Sequence, residues 1–488
     1  MKNSFCIVLL IFLSAILASA QTPEDALRYS SVLYSGTARF NGLGGAFGAV
    51  GADFSTLATN PAGIGLYTAS EMTFTLAPTV GSSESVYNGM SATDNRVNLG
   101  IGNFGAIFNV SPYKKNKDNA VRAINFGLGF NRQNDFNNSV TIHGINNQSS
   151  MMQSYVNILN ANKTPEGSVM DNYPFDIGLA QSAYLIGYDP DTKSYFCDAP
   201  NGGVIQDKTI LTNGSMNEFD LSVGANIMDK LYVGMTVGIP TINYYEHSVY
   251  SETRADASIP NFQSLTYRSD LHTNGTGVNF KFGLIYKPAE WVRLGASIHT
   301  PTWYPNMRDQ WATSMQSRFS DSTNWSAISY SPAGSYNYQL TTPFRAMGSI
   351  AFIIGHYGLV SADYEYLDYS QARFNSSGDS YSDINGQIRT SYQSAGNIRV
   401  GTEWRLADFR IRGGFGYFGN PYQLKTDKSE RYQVSGGLGY REKHFFADLS
   451  YVWTKMNQNY YLYDATMVNP SAVTYYTNTL LATIGFRF

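Results

Sequence analysis

The chain has 488 residues, and its 34 Lys and Arg against 37 Asp and Glu leave a formal net charge of −3. That balance weighs against a nucleic-acid partner, because neutralising phosphates needs a clustered basic surface, and Lys114-Lys115-Asn116-Lys117 is only a short polar loop. Charged residues make up 15% and aromatic residues 14%, with 36 Tyr, a composition that suits a membrane barrel with aromatic girdles at its two interfaces.

The first element is a targeting segment. Residues 1–20 carry Lys2, an apolar run from Phe5 to Leu17, and Ala18-Ser19-Ala20 ahead of Gln21, the three-part layout of a cleaved secretory signal. The mature chain is expected to begin at Gln21. Cys6 lies inside the apolar run rather than at the cleavage point, so a lipoprotein signal is not expected. Cys197 alone remains after processing, which leaves no intramolecular disulfide. Beyond the signal no run reaches the ~18 apolar residues that a spanning helix needs. Ala346 to Val360 comes nearest and is interrupted by Ser349, His356 and Tyr357.

Next comes a glycine-rich stretch. Residues 38–63 read ARFNGLGGAFGAVGADFSTLATNPAG, with five glycines between Gly42 and Gly51 and a stop at Asn60-Pro61-Ala62-Gly63. Leu43, Phe47, Val50 and Phe54 interleave the glycines and demand burial, unlike the side chains of a flexible linker. A dinucleotide fingerprint needs a preceding buried strand and a different spacing to Gly48. The stretch reads as a tightly folded, packed segment.

From Glu71 onward apolar residues recur at every second position in fourteen segments. The set opens with Met72/Phe74/Leu76, Val97/Leu99/Ile101 and Ile124/Phe126/Leu128/Phe130, and it closes with Leu480/Ala482/Ile484/Phe486/Phe488. The count is even, as in single-chain bacterial barrels. Asn131, Arg132, Gln133, Asn134 and Asp135 break the third segment with side chains that could not face lipid, so an inward bend is expected there. Residues 146–217 lack barrel periodicity and are too long for an idle loop; within them Met151, Met152, Tyr155, Val156 and Leu159 fall at helical spacing.

Charge keeps to one face of the later segments. Asp363 and Glu365 alternate with Val360 to Tyr366; Arg399, Glu403 and Arg405 alternate with Ile398 to Trp404; Arg410 and Arg412 alternate with Phe409 to Tyr417. An Arg facing lipid near the midplane costs about 2–4 kcal/mol, so in a membrane barrel this face must meet a polar lumen. A soluble sandwich would show the same alternation with its faces exchanged. The signal segment, the terminal strand and the N-terminal stretch decide between them. Thr479 to Phe488 has the length of a tilted spanning strand and ends the sequence on an aromatic.

The glycine run with its Asn-Pro-Ala stop resembles the N-terminal hatch of the long-chain fatty acid outer-membrane channel family (FadL/TodX type). Residues 279–302, NFKFGLIYKPAEWVRLGASIHTPT, and residues 342–374 resemble hairpins of that family, and the terminal strand resembles the one that outer-membrane assembly machinery reads. The resemblance implies an all-β fold: a transmembrane barrel of about 14 strands over residues 71–488, with a hatch of residues 21–70 inside its lumen and residues 146–217 as an extracellular capture region. It implies that Gly42, Gly44, Gly45, Phe47, Asn60, Pro61 and Ala62 form the gating segment. It also implies that Asn131, Arg132, Gln133 and Asn134 lie where the wall opens sideways.

Catalytic signatures are lacking. The six histidines show no HExxH, no GxSxG elbow occurs, and Asp189-Pro190-Asp191 has Ser194 and Pro200 where a calcium loop needs Gly and Glu. No enzyme activity, cofactor or metal is expected. The function implied is passive uptake of hydrophobic small molecules across a Gram-negative outer membrane by a monomer surrounded by outer-membrane lipid. A secretion-system shuttle role and a haemin receptor are the alternatives. Arg399, Arg405, Arg410 and Arg412 have two readings: an ion-pair ladder that holds the plug, or contacts for an anionic head group.

Overall fold

The computed structural model describes residues 21–110, 120–256, 261–320, 325–424 and 426–488. The signal segment and the Lys114 to Lys117 loop lie outside the described residues. The wall is built from fourteen antiparallel strands. The first seven are β1 (Glu71–Tyr87), β2 (Met90–Val110), β3 (Val121–Asp135, resuming at Asn138–Asn146), β4 (Val204–Ile227), β5 (Leu231–Arg254), β6 (Phe262–Ala289) and β7 (Val292–His299 and Trp303–Phe319). The others are β8 (Ser326–Tyr330, Gly334–Thr341 and Arg345–Ile354), β9 (Gly358–Asp368 and Arg373–Asn375), β10 (Ser394–Leu406), β11 (Phe409–Phe418), β12 (Arg431–Arg441), β13 (Phe445–Tyr460) and β14 (Ser471–Arg487).

Each of the fourteen alternating segments of the sequence lies on one of these strands. Closure is made by β14 returning to β1, with Met72 opposite Phe486 and Phe74 opposite Ile484. Phe488 and Ser70 exchange two backbone hydrogen bonds of 3.1 and 3.2 Å, so the last residue is part of the seam. The outward apolar set, among it Leu99, Phe126, Phe282, Leu294, Ile411, Leu449 and Ile484, is exposed, and its inward neighbours are buried and mostly polar. That inversion of a soluble protein's pattern is what a lipid surround requires. Trp291, Tyr357, Trp404 and Phe409 stand exposed beside short turns on one rim, where interfacial aromatics belong.

Turns at that rim include the short ones of residues 228–230, 355–357 and 407–408; the other rim carries the longest connection as well as the two-residue β1–β2 turn of residues 88–89. The longest is narrower than its sequence pattern implied. Residues 204–217 are strand, because above the apolar band the outer face of a wall needs no hydrophobic residue and the period-two signal fades. Residues 147–203 remain outside the wall.

Helical pieces are confined to the lumen and its mouth. The N-terminal segment holds α1 (Pro23–Ser30), α2 (Ala38–Gly42) and α3 (Thr56–Thr59), followed by a 3-10 turn, Pro61–Leu66. α1 begins with a capping box in which Thr22 and Asp25 satisfy each other's backbone N–H groups. Over the wide rim lie α4 (Met151–Ala161), α5 (Val169–Asn172) and α6 (Ile177–Ser182). Met151, Met152, Val156 and Leu159 of α4 bury against Ile142, Tyr250, Phe262 and Met315 of the wall, so this helix corks the mouth.

Candidate functional site

From the short-turn rim upward, the lumen has a polar floor, a packed apolar cluster and an apolar cap. The floor is the N-terminal segment inside the lumen. Its backbone rests on wall backbone: a Cβ on Gly44, where φ is +64°, would sit 2.9 Å from the Phe415 nitrogen, and one on Gly401 would sit 2.2 Å from the Leu43 oxygen. Gly45 also has positive φ, at +79°. Asn60 donates from Nδ2 to the Gly48 carbonyl at 2.6 Å and accepts from the Ala62 N–H at 3.2 Å, capping the Pro61 turn and tying it to the glycine run. Phe47 is fully buried, and its N–H and that of Gly48 donate to the Asp363 carboxylate at 2.9 and 3.0 Å.

Ion pairs join floor to wall. Arg39 of α2 pairs with Glu403 at 2.9 Å; Glu403 is shared with Arg412 at 2.8 Å, Arg412 with Asp448 at 2.7 Å, and Asp448 with Arg441 at 3.2 Å. A second group joins Arg345 and Arg399 through Glu365. A third places Lys281 between Glu218 and Asp220, and Asn131 of β3 donates to Asp220 at 2.8 Å. Burying such charges is tolerable only because each is matched and hydrogen-bonded.

The four arginines singled out in the sequence therefore separate. Arg399 and Arg412 are buried and committed to carboxylates. Arg405 is exposed, and Arg410 donates to the Ala407 and Phe409 carbonyls of its own turn at 2.6 and 2.7 Å. All four share the inward face, but 405 and 410 lie opposite each other at the end of the β10–β11 hairpin, below the hatch-bearing depth.

Above the floor lies a packed aromatic cluster. Tyr29 of α1, Phe136 and Tyr244 meet edge to face with centroids 5.3 to 6.3 Å apart. Met216, Tyr304, Met307, Tyr338 and Phe374 pack around them, and Ile242, Tyr381, Ile388 and Tyr392 belong to the same cluster.

The wall beside this cluster is incomplete. β2 and β3 pair from Val110 and Ile124 up to Asn103 and Asn131, and there the pairing stops. A register shift between Arg132 and Asn134 turns β3 inward while it keeps β4 as a neighbour. Its upper half then lies behind the β1–β2 hairpin, where Ser83 and Ser85 of β1 donate to the Ser139 and Thr141 carbonyls at 2.7 and 2.6 Å. The freed carbonyls of Gln133 and Arg132 take the N–H groups of Leu33 and Ser35, and Asn134 donates to the Ser31 carbonyl at 3.0 Å. Among the described residues only side chains span the gap: Asn98 of β2 donates to Asp135 at 2.8 Å, the Ser139 and Thr141 hydroxyls of β3 donate to Asp94 of β2 at 2.5 and 3.2 Å, and the Arg132 guanidinium lies over Gly100.

Sequence reasoning missed Lys281, Glu218, Asp220 and Asn103. A signal existed for Lys281, which stands between Phe280 and Phe282 as an inward charge in an outward-apolar run. Asn103 is fully buried, and neither of its polar atoms has a partner among the described residues.

These features define a class: a fourteen-stranded transmembrane β-barrel of the outer membrane, plugged from its own N-terminus and with a wall that parts between its second and third strands. The fold is shared with a FadL homologue of Pseudomonas aeruginosa, at a TM-score of 0.57 and 13% identity over 94% of this chain and 99% of that one. It is also shared with the Pseudomonas putida toluene transporter TodX, at a TM-score of 0.52 and 11% identity over 94% and 99%. The similarity to a deltaS2 mutant of the TodX monoaromatic hydrocarbon channel gives 0.53 and 11% over 92% and 98%. No family model matches the sequence, and no curated protein matches it.

Proposed function

We propose that the protein is a monomeric channel that takes up hydrophobic small molecules, of the long-chain fatty acid kind, through the outer membrane by diffusion. The observation that carries this reading is the end of the β2–β3 pairing at Asn103 and Asn131, beside an apolar cluster and above a charged floor. A hydrophobe that displaces side chains of this cluster meets unfavourable desolvation of ion pairs if it moves down, and lipid if it moves sideways. Lateral release follows from that difference. The names of the structural neighbours, a toluene transporter among them, support the cargo class.

Gating falls to the N-terminal segment. Leu33 and Ser35 occupy the backbone edge that β3 frees, Ser31 accepts from the Asn134 side chain, and α1 packs on Phe136 at the bend, so a ligand that displaces Tyr29 loosens these contacts together. The extended region of residues 147–203, with α4 seated in the mouth, is the capture site.

A cross-link across the gap tests the reading. In a Cys197→Ser background, Asn98→Cys and Asp135→Cys joined by a short bis-thiol reagent should abolish uptake of labelled oleate and of toluene by whole cells, and reduction should restore it. Uptake unchanged in the cross-linked protein would exclude lateral release.

A further inference from the structure

β5, β6 and β7 run far above the apolar band, and their outward face there carries a polar hollow of about 250 Å³. Register sets its plan. Thr253, Ser264 and Arg318 lie side by side on the three strands, Ser251, Thr266 and Gln316 form the next row, and Arg268 lies beside Ser314 in the third. Tyr330 of β8 stands opposite Ser314 and is 70% exposed, which places a bare aromatic ring at the edge of the hollow.

Its chemistry is one-sided. Among the described residues no carboxylate lines the hollow, and neither the Arg268 nor the Arg318 guanidinium makes an ion pair or hydrogen bond. The opposite face of the same strands is fixed: Met315 and Ser317 are fully buried, Ser317 donates to the Ala183 carbonyl at 2.6 Å, and Tyr267 donates to the Phe175 carbonyl at 3.0 Å. The outward residues are therefore free of the packing that shapes the cap. Hydroxyls and an amide suit sugar hydroxyls, an exposed ring suits a sugar face, and guanidinium groups suit phosphate or carboxylate.

Height selects among anionic lipids. Arg268 lies ten residues beyond Val278, an outward apolar residue of β6. At ~3.3 Å per residue and a ~40° tilt this is about 25 Å above the apolar band. A phospholipid head group extends only about 5–8 Å beyond the hydrocarbon. We propose that this hollow binds the phosphorylated or carboxylated head sugars of the glycolipid surrounding the barrel in the outer leaflet. The site stands four strands round the wall from the β2–β3 gap and does not depend on transport.

Calorimetric titration of the full mature protein in lipid nanodiscs tests the assignment, with delipidated, phosphorylated core oligosaccharide from rough-type lipopolysaccharide as the probe. Saturable binding is expected, weakened about tenfold or more by phosphatase treatment of the probe and by the double variant Arg268→Ser/Arg318→Ser. Tyr330→Ser should weaken it as well. Heat-modifiable migration in gels will show that these outward variants remain folded. Absence of saturable binding, or equal binding by the folded double variant, would overturn the proposal. Tighter binding of a soluble uronic-acid polymer than of the core oligosaccharide would overturn the glycolipid assignment.

Discussion

Replacing Gly44 by Val probes the hatch most directly. Its φ of +64° places any L side chain in the left-handed region, and a Cβ would sit 2.9 Å from the Phe415 nitrogen, 3.1 Å from its oxygen and 3.2 Å from the Gly414 carbonyl carbon. All three are backbone atoms of the wall, held by the β11 ladder, so they cannot yield as a flexible side-chain tip would. The left-handed conformation costs a branched residue about 1–3 kcal/mol, and overlap in a packed interior adds about 1–3 kcal/mol. A local cost of about 2–6 kcal/mol falls on the loop rather than on the barrel, because the barrel's closure is independent of it. Gly89 supplies the control: its φ is +84°, and a Cβ there would have nothing within 4 Å, so Gly89→Val carries the conformational cost without the collision. Amide exchange should rise across residues 38–63 in Gly44→Val alone, while heat-modifiable migration stays as in the native protein. Single-channel conductance in planar bilayers should rise with it. Native-like exchange protection of the hatch in Gly44→Val would refute the close-packing argument.

Glu252 is fully buried and accepts from Ser150, the Met151 N–H, Gln206 and Tyr250. Glu252→Leu should strand these donors, weaken the seating of α4 by about 2–4 kcal/mol, and raise amide exchange of residues 151–161. Burial pushes the Cys197 thiol up to about 11, so at pH 8 only ~0.1% is thiolate. Maleimide labelling of the folded protein should be slow, should speed up as pH rises toward 11, and should become fast on denaturation; rapid labelling at pH 8 would contradict the burial. Deleting Phe488 removes two backbone bonds to Ser70 at the β1–β14 seam and should lower the assembled fraction in the membrane at unchanged synthesis, read by heat-modifiable gels. Arg412→Leu leaves Glu403 and Asp448 buried with one partner fewer each and should cost about 3–5 kcal/mol of stability, measured as a lower unfolding midpoint in urea.

Local chemistry written along the chain determined the fourteen strands, because lipid on one side and a polar lumen on the other force a period of two within the apolar band. It also marked the place where the wall bends: five consecutive polar residues, Asn131 to Asp135, could not face lipid whatever the rest of the fold did. Above the band that constraint lapses, so residues 204–217 gave no sign of being strand. Periodicity assigns a residue to a face but not to a depth, and so Arg399, Arg405, Arg410 and Arg412 looked equivalent. Only the closed barrel separates them, burying Arg399 and Arg412 at the hatch and leaving Arg405 and Arg410 at a turn. Pairings such as Arg39 with Glu403 join residues 364 positions apart. No local pattern encodes such a contact, since it exists only once β14 has met β1 and the N-terminal segment has been enclosed.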